Sequence, residues 1–81
     1  MEKKIYVLSY YHDEIKDIII SSYDFEKVIK YARSYMVNNL GYNTDVGIQY
    51  VENVLNALRN DMFYGIDNIF DLWRIEEINV I

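Results

Sequence analysis

Between Lys4 and Tyr35 the chain changes hydrophobic period once, and that change constrains the fold more than any other feature of the sequence. KIYVLSYY and IKDIIIS alternate, whereas the following SYDFEKVIKYARSY repeats its apolar positions at three and four. Alternation places successive side chains on opposite faces of a strand, and the longer spacing gathers them on one side of a helix. His12, Asp13 and Glu14 form a polar break between the alternating runs, as a tight connection requires. The unit expected is a β-hairpin that feeds directly into an amphipathic helix.

The pattern predicts a first strand over Lys3–Tyr11 and a second over Glu14–Ser22, with His12-Asp13 as the loop. That register sets Val7 opposite Ile18, Ile5 opposite Ile20, Tyr10 opposite Ile15 and Tyr6 opposite Ile19. Both faces of the hairpin are then largely apolar, whereas an antiparallel sheet with one solvated side is apolar on one face only. One face is expected to carry helices. The other, lined by Tyr6, Leu8, Tyr10, Ile15 and Ile19, is either covered by the C-terminal part or offered to a partner, including a second copy in a homodimer.

Ser21 or Ser22 can cap the first helix, whose stripe runs through Phe25, Val28, Ile29, Ala32, Tyr35, Met36 and Leu40. Gly41 suits the residue just past its end. Gly41–Gly47 reads as a loop in which Asn43, Thr44 or Asp45 can cap a second helix. Val51, Val54, Leu55, Leu58 and Met62 form that helix's stripe, which is expected to end near Tyr64-Gly65. Ile66–Phe70 is too short to assign. Leu72–Ile81 alternates through Trp73 and Ile75, slips at Glu76-Glu77 and resumes at Ile78 and Val80, which suggests a strand with a β-bulge. The expected fold is α+β in the order ββααβ. It has a three-stranded, mainly antiparallel sheet with two helices on one face, and the last strand lies beside the first.

Eighty-one residues make a single domain, 1–81, with no room for a second core. With no cysteine present, no disulfide can staple it. The opening MEKKIYVLSYYHDE has no apolar segment of leader length, and the longest aliphatic run, Ile18–Ile20, is far too short to span a membrane. A cytoplasmic protein, in a host cell if phage-encoded, is the expectation.

Chemistry is sparse. His12 is the one histidine, and a catalytic zinc needs three protein ligands, so His12-Asp13-Glu14 reads as a solvated turn and no metal or cofactor is expected. No cysteine nucleophile exists, and Ser9, Ser21, Ser22 and Ser34 have no histidine in a recognisable arrangement. The three glycines, Gly41, Gly47 and Gly65, are too scattered for a phosphate loop. A non-enzymatic protein is expected.

Charge supplies the better lead. Residues 1–33 carry six acids and six bases, whereas residues 34–81 carry seven acids against Arg59 and Arg74, so the whole net charge of −5 sits in the second segment. A net-acidic chain repels phosphate and favours encounter with basic protein surfaces, so direct nucleic-acid binding is not expected. Asp61, Asp67, Asp71, Glu76 and Glu77 are the candidate partner-binding residues, presenting carboxylates where a basic groove expects phosphates. The nine tyrosines add interface-forming aromatics.

KIYVLSYY…IIISSYDFEKVIKYA, with LWRIEEINV near the C-terminus, resembles small proteins of phages and prophages of low-GC bacteria. Those share a hairpin, a Ser-capped helix and an acidic-hydrophobic final strand; the likeness spans about half the chain. The resemblance implies a small accessory protein, a group in which anti-CRISPR and other anti-defence inhibitors are common. The reading preferred is an acidic inhibitor, a nucleic-acid mimic, that docks on a basic nucleic-acid-binding surface of a host protein or nucleoprotein. The alternatives are a dimer with an assembly role and a homodimeric sponge for a nucleotide signal, using Lys27, Lys30 and Arg33 with tyrosines at the seam.

Overall fold

The computed structural model describes residues 3–12, 14–65 and 71–80, with Asp71 described by its backbone alone. Strands β1 (Lys3–His12) and β2 (Ile15–Ser22) precede helix α1 (Phe25–Ser34), which runs into a π-helical turn at Tyr35–Asn39. Helix α2 (Asp45–Asp61), β3 (Phe63–Gly65) and β4 (Asp71–Val80) follow. The sheet is antiparallel in the order β2-β1-β4-β3. The α+β class, the two helices on one face and the pairing of the last strand with the first agree with the sequence reading. The number of strands does not: the described residues form four rather than three.

The additional strand begins where α2 was expected to continue. Met62 takes the left-handed conformation at φ 59°, and its N–H donates to the Leu58 carbonyl at 3.0 Å, which closes the helix. Phe63, Tyr64 and Gly65 then pair with Arg74, Trp73 and Leu72. Residues 66–70, unassigned from the sequence, lie outside the described residues.

The hairpin register also differs. His12 pairs with Ile15, one residue later than expected, with Glu14 at φ 67° just before Ile15; Asp13 lies outside the described residues. Tyr10 therefore faces Asp17, not Ile15. Ile18 pairs with Ser9 and Ile20 with Leu8, so Ile19 is the extra residue of a β-bulge. A bulge re-aims the strand beyond it, and here it turns Ile20 onto the Tyr6/Leu8/Tyr10 face. The bulge expected at Glu76-Glu77 is absent, because β4 pairs with β1 without a break from Lys3–Val80 to His12–Asp71.

Asp24, rather than Ser21 or Ser22, caps α1 by accepting from the Glu26 N–H at 3.0 Å; Ser22 Oγ accepts from the Asp24 N–H just upstream. The π turn bonds the Leu40 N–H to the Tyr35 carbonyl at 3.1 Å, and Gly41 follows at φ 75°, the left-handed position expected of it. Thr44 caps α2 through the Gly47 N–H.

One hydrophobic cluster holds these elements together. Leu8 and Tyr10 from β1, Trp73 and Ile75 from β4, Val28, Ile29 and Ala32 from α1, Met36 from the π turn and Val51, Val54, Leu55 and Leu58 from α2 are buried in it. Burying each large apolar side chain of this kind contributes about 1.5–3 kcal/mol before conformational entropy is subtracted. Trp73 is its centre. Its ring stacks on Tyr10 at 4.0 Å, meets the Tyr35 edge at 6.3 Å, and its indole N–H donates to the Tyr50 hydroxyl at 3.2 Å. Tyr50 in turn makes edge contacts with Tyr42 and Tyr64. Six of the nine tyrosines (6, 10, 35, 42, 50 and 64) belong to or pack on this core, so most of the tyrosine surplus is structural. Outside it, Arg33–Glu52 and Arg59–Glu26 ion pairs tie α1 to α2.

Candidate binding face of the sheet

Every sheet residue in the core cluster lies on one face, and the helices cover that face. The opposite face follows from the same ladder. Paired residues of an antiparallel sheet point the same way, so Ile5/Ile78, Val7/Glu76, Ser9/Arg74 and Tyr11/Leu72 form four rows across β1 and β4. Ile18, beside Ser9, extends one row over β2, and Phe63, beside Arg74, extends it over β3. None of these side chains packs on the core cluster. Ile18 is 58% exposed, Ile78 45% and Phe63 43%, with Ile5, Val7, Tyr11 and Leu72 half-buried among them. Scattered exposed apolar residues are ordinary; a contiguous apolar face rimmed by polar groups marks an interaction surface.

The polar groups on this face are few and placed. Lys16 lies 3.4 Å from the Glu76 carboxylate and 5.5 Å from the centre of the Tyr11 ring. Hydrogen bonding to the Tyr11 side chain, then the Glu76 charge, raise the Lys16 pKa above its ordinary range. Arg74 has no carboxylate partner among the described residues. Ser9, in the middle, is fully buried between its taller neighbours, and its Oγ has no hydrogen-bond partner among the described residues.

The residues singled out from sequence fall differently. The proposed dimer face is turned inward: Leu8 and Tyr10 are core, and Tyr6 and Ile19 are half-buried against it. Ile15 alone of that set is largely exposed, near the hairpin tip. The physical reason is that Tyr6, Leu8 and Tyr10 share their face with Trp73 and Ile75, and the helices seal it. Of the acidic set, Glu76 lies on the open face with Lys16. Glu77, its neighbour on a regular strand, lies on the other side, 3.4 Å from Lys4. Asp61 is exposed at the end of α2, the Asp71 backbone pairs with His12, and Asp67 lies outside the described residues. These five do not make one acidic surface: two are neutralised by lysines and point opposite ways.

His12 stacks on Tyr10 at 4.9 Å and its Nε2 lies 2.7 Å from Asp17; no group of three metal-ligating side chains occurs among the described residues. Lys27 and Lys30 are exposed on α1, and Arg33 is engaged by Glu52. A shallow groove of about 410 Å³ over Asp45, Val46, Gln49, Tyr50 and Asn53 carries no cation to hold a phosphate. No described helix is long and apolar enough to cross a membrane. Compared with protein-family models, curated proteins and solved structures, the chain matches none.

The sequence reading missed Ile18, Phe63, Leu72, Arg74 and Ile78 as a site. Their signal is the alternate phase of the strands that carry the core: whatever shares phase with Arg74 on β4 or Ser9 on β1 lies opposite Trp73 and Leu8.

Proposed function

We propose that the protein is a non-enzymatic protein-binding module that works through the open face of its sheet. The observation that carries this reading is the uncovered apolar surface of Ile18, Phe63 and Ile78, continuous with Ile5, Val7, Tyr11 and Leu72. Sheet faces bury such residues against another layer, and the two described helices, α1 and α2, already lie on the other side. The more specific form of the proposal, an anti-defence inhibitor that meets a basic nucleic-acid-binding surface in the host, draws its support from the net charge of −5 and from Asp61, exposed at the end of α2. In that form the carboxylates steer the encounter and the apolar face supplies the contact area.

Capture from host lysate with the native protein, Ile18→Asp and Asp61→Lys tests the division. Ile18→Asp abolishes capture while circular dichroism stays native, and Asp61→Lys weakens it in a salt-dependent manner. Capture that survives Ile18→Asp and a matching Ile78→Asp overturns the reading.

A further inference from the structure

Resting on that reading of the open face as a protein-binding surface, we infer that in the free protein its occupant is a second copy of this chain, which a host partner displaces, joined sheet to sheet about a two-fold axis that crosses the strands. The argument comes from how the face maps onto itself. Two sheets packed face to face can be related by a two-fold axis lying between them, either along the strands or across them.

An axis along the strands exchanges β1 with β4. It places Arg74 over Ser9 and Glu76 over Val7 of the other copy, burying each charge against a group of no opposite charge. An axis across the strands, at the level of Leu8 and Ile75, keeps β4 over β4 and reverses its direction. Arg74 then lies over Glu76 of the other copy, and Glu76 over Arg74. Leu72 meets Ile78, Tyr11 meets Ile5, and Val7 stands over the small Ser9, each contact occurring twice by symmetry. Leu72, Ile78, Tyr11 and Ile5 thus meet apolar partners, and each charge meets its opposite. Arg74, which has no carboxylate partner among the described residues, obtains one, while Glu76 keeps Lys16 on its other side.

The size of the face sets the strength. Three strands about 4.8 Å apart with seven residues rising about 3.3 Å each, and the three residues of β3, give a plan area of about 380 Å². Side-chain relief raises this toward the roughly 600 Å² per partner at the lower bound for specific association. A dimer of micromolar rather than nanomolar affinity is expected, with β1 and β4, the two middle strands, at its centre.

Sedimentation equilibrium tests the inference through charge exchange. The native protein is expected at about twice its 9.8 kDa monomer mass at about 500 µM. Arg74→Glu alone sets glutamate against Glu76 twice per dimer, Glu76→Arg alone sets arginine against Arg74 twice, and each raises Kd by about tenfold or more. Mixing the two variants in equal amounts restores the dimer mass as a heterodimer, because both contacts are again opposite in sign. Circular dichroism of each variant verifies the fold. A native protein that stays monomeric at that concentration, or a mixture that stays monomeric, overturns the inference. If the native protein is monomeric but Ile18→Asp still abolishes capture from lysate, the face binds another protein and only the second copy is refuted. If Ile18→Asp also leaves capture intact, the reading of the face falls with it.

Discussion

Replacing Trp73 by phenylalanine tests the centre of the core. The smaller ring keeps the stack on Tyr10 but loses the indole N–H that donates to the Tyr50 hydroxyl at 3.2 Å. It removes about 40 Å² of buried apolar surface, worth about 1 kcal/mol. It also leaves a void of about 38 Å³, which adds about 0.9 kcal/mol at sites that cannot collapse. The lost hydrogen bond adds about 1 kcal/mol, since Tyr50 is half-buried and its hydroxyl is only partly re-solvated. The expected loss is about 3 kcal/mol, against the total of about 4–12 kcal/mol that a chain of this length commands. At about 4–8 °C per kcal/mol, the melting temperature falls by about 12–24 °C. Urea unfolding followed by far-ultraviolet circular dichroism measures it, because the substitution removes the single tryptophan. A double-mutant cycle with Tyr50→Phe isolates the bond, with an expected coupling of about 0.5–1.5 kcal/mol. A loss below about 1 kcal/mol, or no coupling, would refute the placement of Trp73 at the core's centre and its bond to Tyr50.

Deleting one isoleucine from Ile18–Ile20 removes the bulge and leaves the pairs on either side in register. The half-buried side chain lost is largely offset by a regained ladder bond, so the melting temperature drops by less than about 8 °C, and an unfolded product would contradict the register. Gly47→Ala gains the helix preference of about 1 kcal/mol but drives a Cβ to 2.9 Å from the Tyr42 backbone, so chemical unfolding should show a net loss of about 1 kcal/mol or more. Because folding raises the Lys16 pKa above its ordinary 10.5, the stabilising contribution of Lys16 is complete below pH 10.5 and is lost as pH climbs through the folded value. The difference in stability between the native protein and Lys16→Met should therefore be flat to that pH and shrink above it, as pH-dependent unfolding would show.

How much of this was legible in the sequence depended on whether a local pattern carried phase. The α1 stripe, Gly41 past its end and Thr44 before α2 each follow from nearest-neighbour chemistry, and all three lie where the spacing puts them. Trp73 and Ile75 share a phase on β4 and share the core. Ile18–Ile20, by contrast, is three identical side chains in a row, and such a run reads the same whichever of them is extra. β3 has three residues, too few for an alternation, and it follows a helix closed by Met62 rather than by a glycine. The acidic set is divided for a different reason. Charge counting along the chain could not know that Lys16 and Lys4, some sixty and more residues away, lie beside Glu76 and Glu77 once β1 pairs with β4.

That same pairing has a consequence for when the protein can fold during synthesis. β1 is made before every other element of the sheet, yet its inner neighbour is β4, with Lys3 matched to Val80. Until residues 71–80 have left the ribosome, Leu8 and Tyr10 lack the Trp73 and Ile75 beside which they are buried, and β1 has only β2 at its side. The hairpin and helices can form early, but the long-range step that completes the sheet comes last. Mixed helix-and-sheet chains that must close such distant pairings fold more slowly than helical bundles, because loop-closure entropy is paid before the contact forms. During that interval the emerging polypeptide carries an unpaired strand edge together with uncovered aromatic surface, a state that chaperones recognise and that aggregation exploits.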